Sequence, residues 1–181
     1  MKIVRALEEY DKTDSEIACF LAGGCSSLEW RERFYKRLEK YSLNHLVIYD
    51  PYNPNIESIY SQIEWEFKYL NKYIKDKFIF SIYFDKYSNQ PVSMYELGRV
   101  SVLSQPSYIT VDLDENRPGQ KHKLYTNYGF PAVITIDEEA PKRQELICQC
   151  GLAKLNQHLG TPEDHAEHIA YQYGIIKSQM K

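Results

Sequence analysis

Five short runs rich in β-branched and aromatic residues punctuate the chain: Ile17–Ala22, His45–Tyr49, Phe78–Phe84, Tyr108–Val111 and Ala132–Ile136. Runs of this length between polar or turn residues predict strands. The third, Phe78-Ile-Phe-Ser-Ile-Tyr-Phe84, is almost continuously apolar, as a central strand covered on both faces must be. Between the runs the apolar period lengthens to that of a helix. Leu28–Tyr41 places Trp30, Phe34, Leu38 and Tyr41 on one stripe. Ile56–Ile74 does the same with Ile59, Ile63, Phe67, Leu70 and Ile74, and Asn55 is a good N-cap for it. Ser93–Leu103 reads as a third helix. Strands alternating with helices predict a parallel sheet with right-handed crossovers.

Beyond the fourth run the pattern is less regular. Asp114-Glu-Asn-Arg-Pro-Gly119 reads as a turn, and Lys121–Tyr128 as a short helix. A longer helix is expected from Pro141 to about Leu159, stopped by Gly160. Thr161-Pro162 then supplies an N-cap with proline at the first helical position, and a last helix runs to about Ser178. The expected fold class is α/β, a five-stranded parallel sheet with helices on both faces. Residues 1–137 form the α/β domain, and 138–181 a C-terminal helical extension packed on it.

Composition narrows the function more than the fold. The chain has 181 residues, 43% hydrophobic and 26% charged, ordinary values for one globular domain. Sixteen tyrosines supply many rings with a polar tip, suited to half-buried positions and pocket walls. A net charge of −3 lacks the basic footprint that nucleic-acid polymers require. No segment approaches the roughly 18 apolar residues of a membrane span. No charged-then-apolar signal opens the chain, so a cytoplasmic location is expected. Cys19, Cys25, Cys148 and Cys150 lack the paired spacing of a structural zinc site. Cys148 and Cys150 are followed by His158, His165 and His168, which makes a metal site conceivable. Reduced thiols and an exposed His165/His168 helix face are the simpler expectation, and no metal is assigned.

The candidate chemistry gathers after the third run. Asp85 closes it, and Gln90-Pro-Val-Ser-Met-Tyr-Glu96-Leu-Gly98 leads into the next helix. Asp85 and Glu96 thereby fall near the C-terminal edge of a parallel sheet, where ligands bind in open α/β folds. Ser93 and Glu96 also match a capping box, which would explain the glutamate without any function. Against that, Gly98 inside the helix costs about 1 kcal/mol relative to alanine and suggests close approach of a ligand or backbone. A helix N-terminus would also keep Glu96 ionised. Gly23 and Gly24 end the first run at the same edge, where glycine permits a tight turn and close ligand approach. Ser26 follows them as a sugar or phosphate contact or a helix cap. Asp50 and Asn53 end the second run; a ligand role competes there with ordinary Asp-Pro and Asn-Pro turn chemistry. Glu66 lies on or beside an apolar helix stripe, where a carboxylate is rarely buried without a partner. Trp30 and Trp65 read first as core.

Phe20-Leu-Ala-Gly-Gly24 with Trp30, then Gln62-x-x-Trp65-Glu66, then Gln90-Pro-Val-Ser-x-Tyr-Glu96-Leu-Gly98 resemble the nucleoside 2-deoxyribosyltransferase-like proteins, in consistent order over residues 17–113. The resemblance implies a flavodoxin-like, Rossmann-like five-stranded sheet, no cofactor, and a small-molecule nucleoside or nucleotide as partner. It implies that Glu96 is a nucleophile forming a deoxyribosyl ester, that Glu66 reaches the sugar, and that the base leaves to be replaced by another base or by water. Gln90 departs from the family, which places an Asp there to protonate the base; Asp85 is the candidate substitute. Ser93 and Gln90 are the substrate contacts of this element. The resemblance further implies a homo-oligomer, in which Tyr125, Asn127 or the residues after Asp137 would serve a second subunit. The alternatives are a nucleoside or nucleotide N-glycoside hydrolase, and a non-catalytic nucleotide-binding or signalling protein.

Overall fold

The computed structural model describes residues 1–25, 27–72, 77–87, 89–103, 106–107, 125–126, 131–153, 155 and 157–180. The elements, in chain order, are β1 (Lys2–Arg5), β2 (Ile17–Gly23), α1 (Glu29–Leu38), β3 (Leu46–Asp50), α2 (Ile59–Lys72), β4 (Phe78–Phe84), α3 (Pro91–Leu103), β5 (Pro106–Ser107), β6 (Tyr125–Thr126), β7 (Ala132–Ile136), α4 (Arg143–Leu152), β8 (Gln157–Leu159) and α5 (Pro162–Gln179). Six strands form one all-parallel sheet in the order β1-β3-β2-β4-β7-β8, and β5 and β6 make a separate antiparallel pair. Phe20 of β2 sits opposite Tyr49 of β3 on one side and Phe80 of β4 on the other. The architecture is α/β and compatible with a Rossmann-like fold.

Strand alternation divides the core. On one face Phe20, Tyr49, Phe80 and Ile82 meet Trp65, Tyr69 and Leu70 of α2, Leu97 of α3 and Leu146 of α4. On the other, Cys19, Leu21, Ile48 and Ile79 meet Trp30, Phe34 and Leu38 of α1 and Ile169 and Tyr173 of α5. All seven residues of β4 are buried, as its unbroken apolar run predicts. Each fully buried side chain of this size contributes about 1.5–3 kcal/mol.

Several expectations change. The sheet has six strands. Of the five expected, Tyr108–Val111 lies outside the described residues; β1 and β8 are additional and occupy the two edges. Residues 138–181 are not a purely helical extension. The helix expected to reach Leu159 ends at Leu152, and Gln157–Leu159 pairs in parallel with β7. Tyr125 and Thr126 are paired as a strand rather than helical. The second helix starts at Ile59, because Asn55 closes a turn instead, its N–H donating to Asn53 Oδ1 at 3.0 Å. Ser58 takes the capping role, accepting the Ser61 N–H at 3.4 Å. The last helix starts as expected, with a capping box between Thr161 and Asp164. No helix among the described residues is long and apolar enough to cross a membrane.

Candidate functional site

The chain leaves β2 toward β3 on one side and leaves β4 toward β7 on the other, so the topology switches between the C-terminal ends of β2 and β4. That is where an open parallel sheet leaves a crevice. A cleft of about 320 Å³ opens there, lined by the turn after β2, by α2, and by the loop and first turns after β4. Its size suits a small ligand.

Glu96 and Glu66 both line this cleft. They come from different helices, and each is more than nine-tenths buried. Gln62 Nε2 donates to Glu66 Oε1 at 2.8 Å. Burial first, then the neighbouring Glu66 carboxylate, pushes the Glu96 carboxyl up to about 8, against a smaller opposing pull from Arg31. Burial likewise raises Glu66, offset in part by Gln62 and Arg31. Two carboxylates facing one cleft hold a proton between them more readily than either would alone. Glu96 is therefore largely protonated at neutral pH, not ionised as its helix position suggested. The helix start offers no counterweight to that burial. Proline opens α3 at position 91, two residues before Ser93, so Glu96 stands beyond the first-turn N–H groups that favour negative charge. Ser93 is not the N-cap, and the capping box is not the reason for Glu96.

Gln90 precedes the helix with φ 45° and is 5% exposed. Its Nε2 donates to the Asp85 carbonyl at 3.4 Å, which orients the amide. The Oε1 is buried and accepts no hydrogen bond among the described residues. A buried acceptor left open on a cleft residue is where a ligand donor gains most. Ser93 also lines the cleft and is buried.

Asp85 is left out of this group. Its Oδ1 accepts the Tyr87 N–H at 2.7 Å, closing the loop after β4. It borders a separate depression of about 30 Å³ with Trp30, Arg33, Tyr83 and Asp137, space on the scale of one water. The carboxylates brought together are Glu66 and Glu96, not Asp85 and Glu96.

Gly23 and Gly24 line the cleft, but their close neighbours belong to the protein. Gly23 has φ +147°, and a Cβ there would lie 2.8 Å from both Trp30 Cζ2 and the Tyr83 carbonyl oxygen. The Gly24 carbonyl accepts Trp30 Nε1 at 3.0 Å and also Arg31 Nη1. Trp30 stacks on Tyr83 at 5.1 Å, and Trp65 donates to the Glu8 carbonyl at 2.8 Å, so both are core. Among the described residues, nothing lies within 4 Å of a Cβ added at Gly98. Ser26 and Asn127 lie outside the described residues.

Asp50 is fully buried and takes a structural part. It accepts from Arg31 Nε at 3.0 Å, Tyr35 OH at 2.7 Å, Arg5 Nη1 at 3.4 Å and the Tyr52 N–H at 3.0 Å. Asn53 donates to the Ala6 carbonyl at 2.7 Å and accepts from Asn55. Both side chains are committed to the protein, the turn chemistry their sequence context allows.

Arg31 is the group that sequence reasoning missed. It is 1% exposed, ion-paired with Asp50, and placed behind the Gly23–Gly24 turn. Its Trp-Arg-Glu-Arg context reads as a solvated helix face. His165 does not lie on an exposed helix face as expected: it is fully buried, with Nε2 2.8 Å from Ser81 Oγ and Nδ1 2.8 Å from Thr135 Oγ1. Among the described residues no three His, Cys, Asp or Glu side chains gather as a metal-ligand set.

No family model matches the chain, and no curated protein matches it.

Proposed function

We propose that the protein breaks and re-forms N-glycosidic bonds, moving a deoxyribosyl group between the bases of deoxyribonucleosides or nucleotides through an ester on Glu96. One observation carries this reading: two buried carboxylates from separate helices, Glu96 and Glu66, face one cleft at the switch point of a parallel sheet. The order of the Ala-Gly-Gly, Trp-Glu and Glu-Leu-Gly elements supports membership of the nucleoside 2-deoxyribosyltransferase-like proteins and a flavodoxin-like form of the sheet. The reading extends to a cytoplasmic homo-oligomer. Ile59, Tyr60, Phe67 and Tyr95, each more than half exposed on α2 and α3, offer apolar area that a second copy would cover.

The carboxylate pair answers the difficulty posed by Gln90. The leaving base must gain a proton, and a glutamine has none to give. The proton held by Glu66 and Glu96 passes to the base as the C1′–N bond breaks and its electrons stay with the base. Glu96, now ionised, bonds to C1′. In the second half the acceptor returns a proton to the pair as it displaces the ester.

Intact-mass spectrometry after incubation with deoxynucleosides tests this. One deoxyribosyl increment on the peptide holding Glu96, absent in Glu96→Ala, is the expected result; no adduct and no base release would sink it. Deoxyadenosine with free cytosine yields deoxycytidine if the chain transfers, and only free sugar if it hydrolyses. Gln90 favours a second reading, a nucleotide-binding protein without turnover, which tight binding with no released base would establish.

A further inference from the structure

We infer that the cleft accepts an uncharged nucleoside and rejects its 5′-phosphorylated form. The inference rests on the N-glycosidic reading and narrows its substrate. The described residues lining the cleft include two carboxyl groups, Glu66 and Glu96, which hold one proton between them and keep one negative charge, and no lysine, arginine or histidine. The remaining polar side chains, among them Gln62, Gln90 and Ser93, are neutral. A 5′-phosphate brings a charge of roughly −1.5 to −2, and removing it from water requires a cation or several charge-assisted hydrogen bonds.

Among the described residues, the cation behind the cleft is Arg31, and it is held away from it. Arg31 gives Nε to Asp50, Nη1 to the Gly24 carbonyl, and Nη2 to the Gly23 carbonyl at 3.5 Å and Cys25 Sγ at 3.9 Å. Each guanidinium nitrogen is engaged, the side chain is 1% exposed, and Asp50 balances its charge. The helix starts at this edge offer an anion less than they could. α3 opens on a proline, which removes one of its N-terminal N–H groups and leaves those of Val92 and Ser93, and α1 carries Glu29 and Glu32 in its first turn. Ile59, Ile63, Val92 and Pro51 form an apolar wall suited to a base or the carbon face of a sugar. The orphan Gln90 Oε1 asks for a donor on the ligand, and a phosphate ester oxygen is an acceptor.

The test sets each deoxynucleoside against its own 5′-monophosphate on the full chain. Binding is measured by calorimetry, and base release is followed, at low and at physiological ionic strength. The expected result is that the nucleoside binds at least about tenfold tighter, about 1.4 kcal/mol. The gap widens at low salt, where like charges are screened least, and narrows in Glu66→Gln. A monophosphate that binds as tightly as its nucleoside, or tighter, overturns the inference and leaves the glycosidic reading standing. Selective nucleoside binding without base release keeps the inference and removes the catalytic reading. Binding of neither ligand at millimolar concentration ends both.

Discussion

Glu96 is a carboxyl held where its charged form is unwelcome, and that has a cost measurable without any substrate. Its folded value lies near 8 against an ordinary 4.5. Between those values the folded chain holds a proton that the unfolded chain has lost. Its contribution to stability is therefore complete below about pH 4.5 and is lost as pH rises through about 8. Each unit of the interval is worth up to about 1.4 kcal/mol. Glu96→Gln keeps the shape and removes the titration. We expect it to be more stable than wild type at pH 8, by an amount on the order of 2–5 kcal/mol, and close to it at pH 4.5. Urea unfolding at the two pH values checks this; equal wild-type stability at both would place Glu96 in a wetter setting than the cleft. At this scale the sequence was only partly legible. Glu96, Glu66 and Gln90 line one cleft, although Glu96 stands beyond the first turn of α3 and not at its mouth. Arg31 was not readable, because its burial depends on Asp50, the last residue of β3, a pairing with no local signature. Asp85 was misjudged for a similar reason: the backbone two residues on claims its carboxylate, and no spacing rule reveals which way a loop side chain turns.

Elements were legible where their apolar pattern was long, and obscure at the edges of the sheet. β2, β3, β4 and β7 announce themselves because both faces are covered and nearly every residue is apolar. β1 has four residues and β8 three; as edge strands they need less burial and carry polar side chains. Gln157-His158-Leu159 could only be found through its partner β7. Helix starts were displaced for chemical reasons: Ser58 outcompetes Asn55, whose N–H is held in a turn, and Pro91 opens α3 before Ser93 can cap it. Gly98 lies on an exposed turn of α3, where a Cβ would meet no described atom within 4 Å. Gly98→Ala should therefore stabilise the protein by about 1 kcal/mol through helix propensity, read as a raised midpoint in thermal or urea unfolding. A destabilised variant would mean that the glycine meets a neighbour beyond the described residues or in a second copy.

Across the whole molecule, the cleft and the far face of the sheet impose opposite demands on pH. α5 is fastened over that far face by His165, whose two ring nitrogens reach Ser81 of β4 and Thr135 of β7. Phe34 and Tyr83 pack their rings 5.6 Å from it. The ion pairs Arg33–Glu163 and Arg37–Glu167 join α5 to α1 at the surface. Burial, then the nearby His168 and His158, lowers His165 from 6.5 to about 3. Here the unfolded chain takes up the proton first. The contribution is complete above about pH 6.5 and is lost as pH falls toward 3. Glu96 loses stability as pH rises from 4.5, and His165 loses it as pH falls from 6.5. Between those values the two slopes oppose, so stability should change little there and decline on either side. The raised Glu66 adds to the alkaline decline, and the lowered Glu163, Asp164 and His158 add to the acid one. The two sites lie on opposite faces of the sheet, so their variants should act independently. His165→Gln retains hydrogen-bonding capacity toward Ser81 and Thr135 but cannot protonate. It should flatten the acid arm and leave the alkaline arm in place, whereas Glu96→Gln should do the reverse and the double variant both. Unfolding midpoints from pH 4 to 8.5 for the four proteins decide this. An acid arm unchanged in His165→Gln would show that surface ion pairs, not the buried imidazole, hold α5 against the sheet in acid.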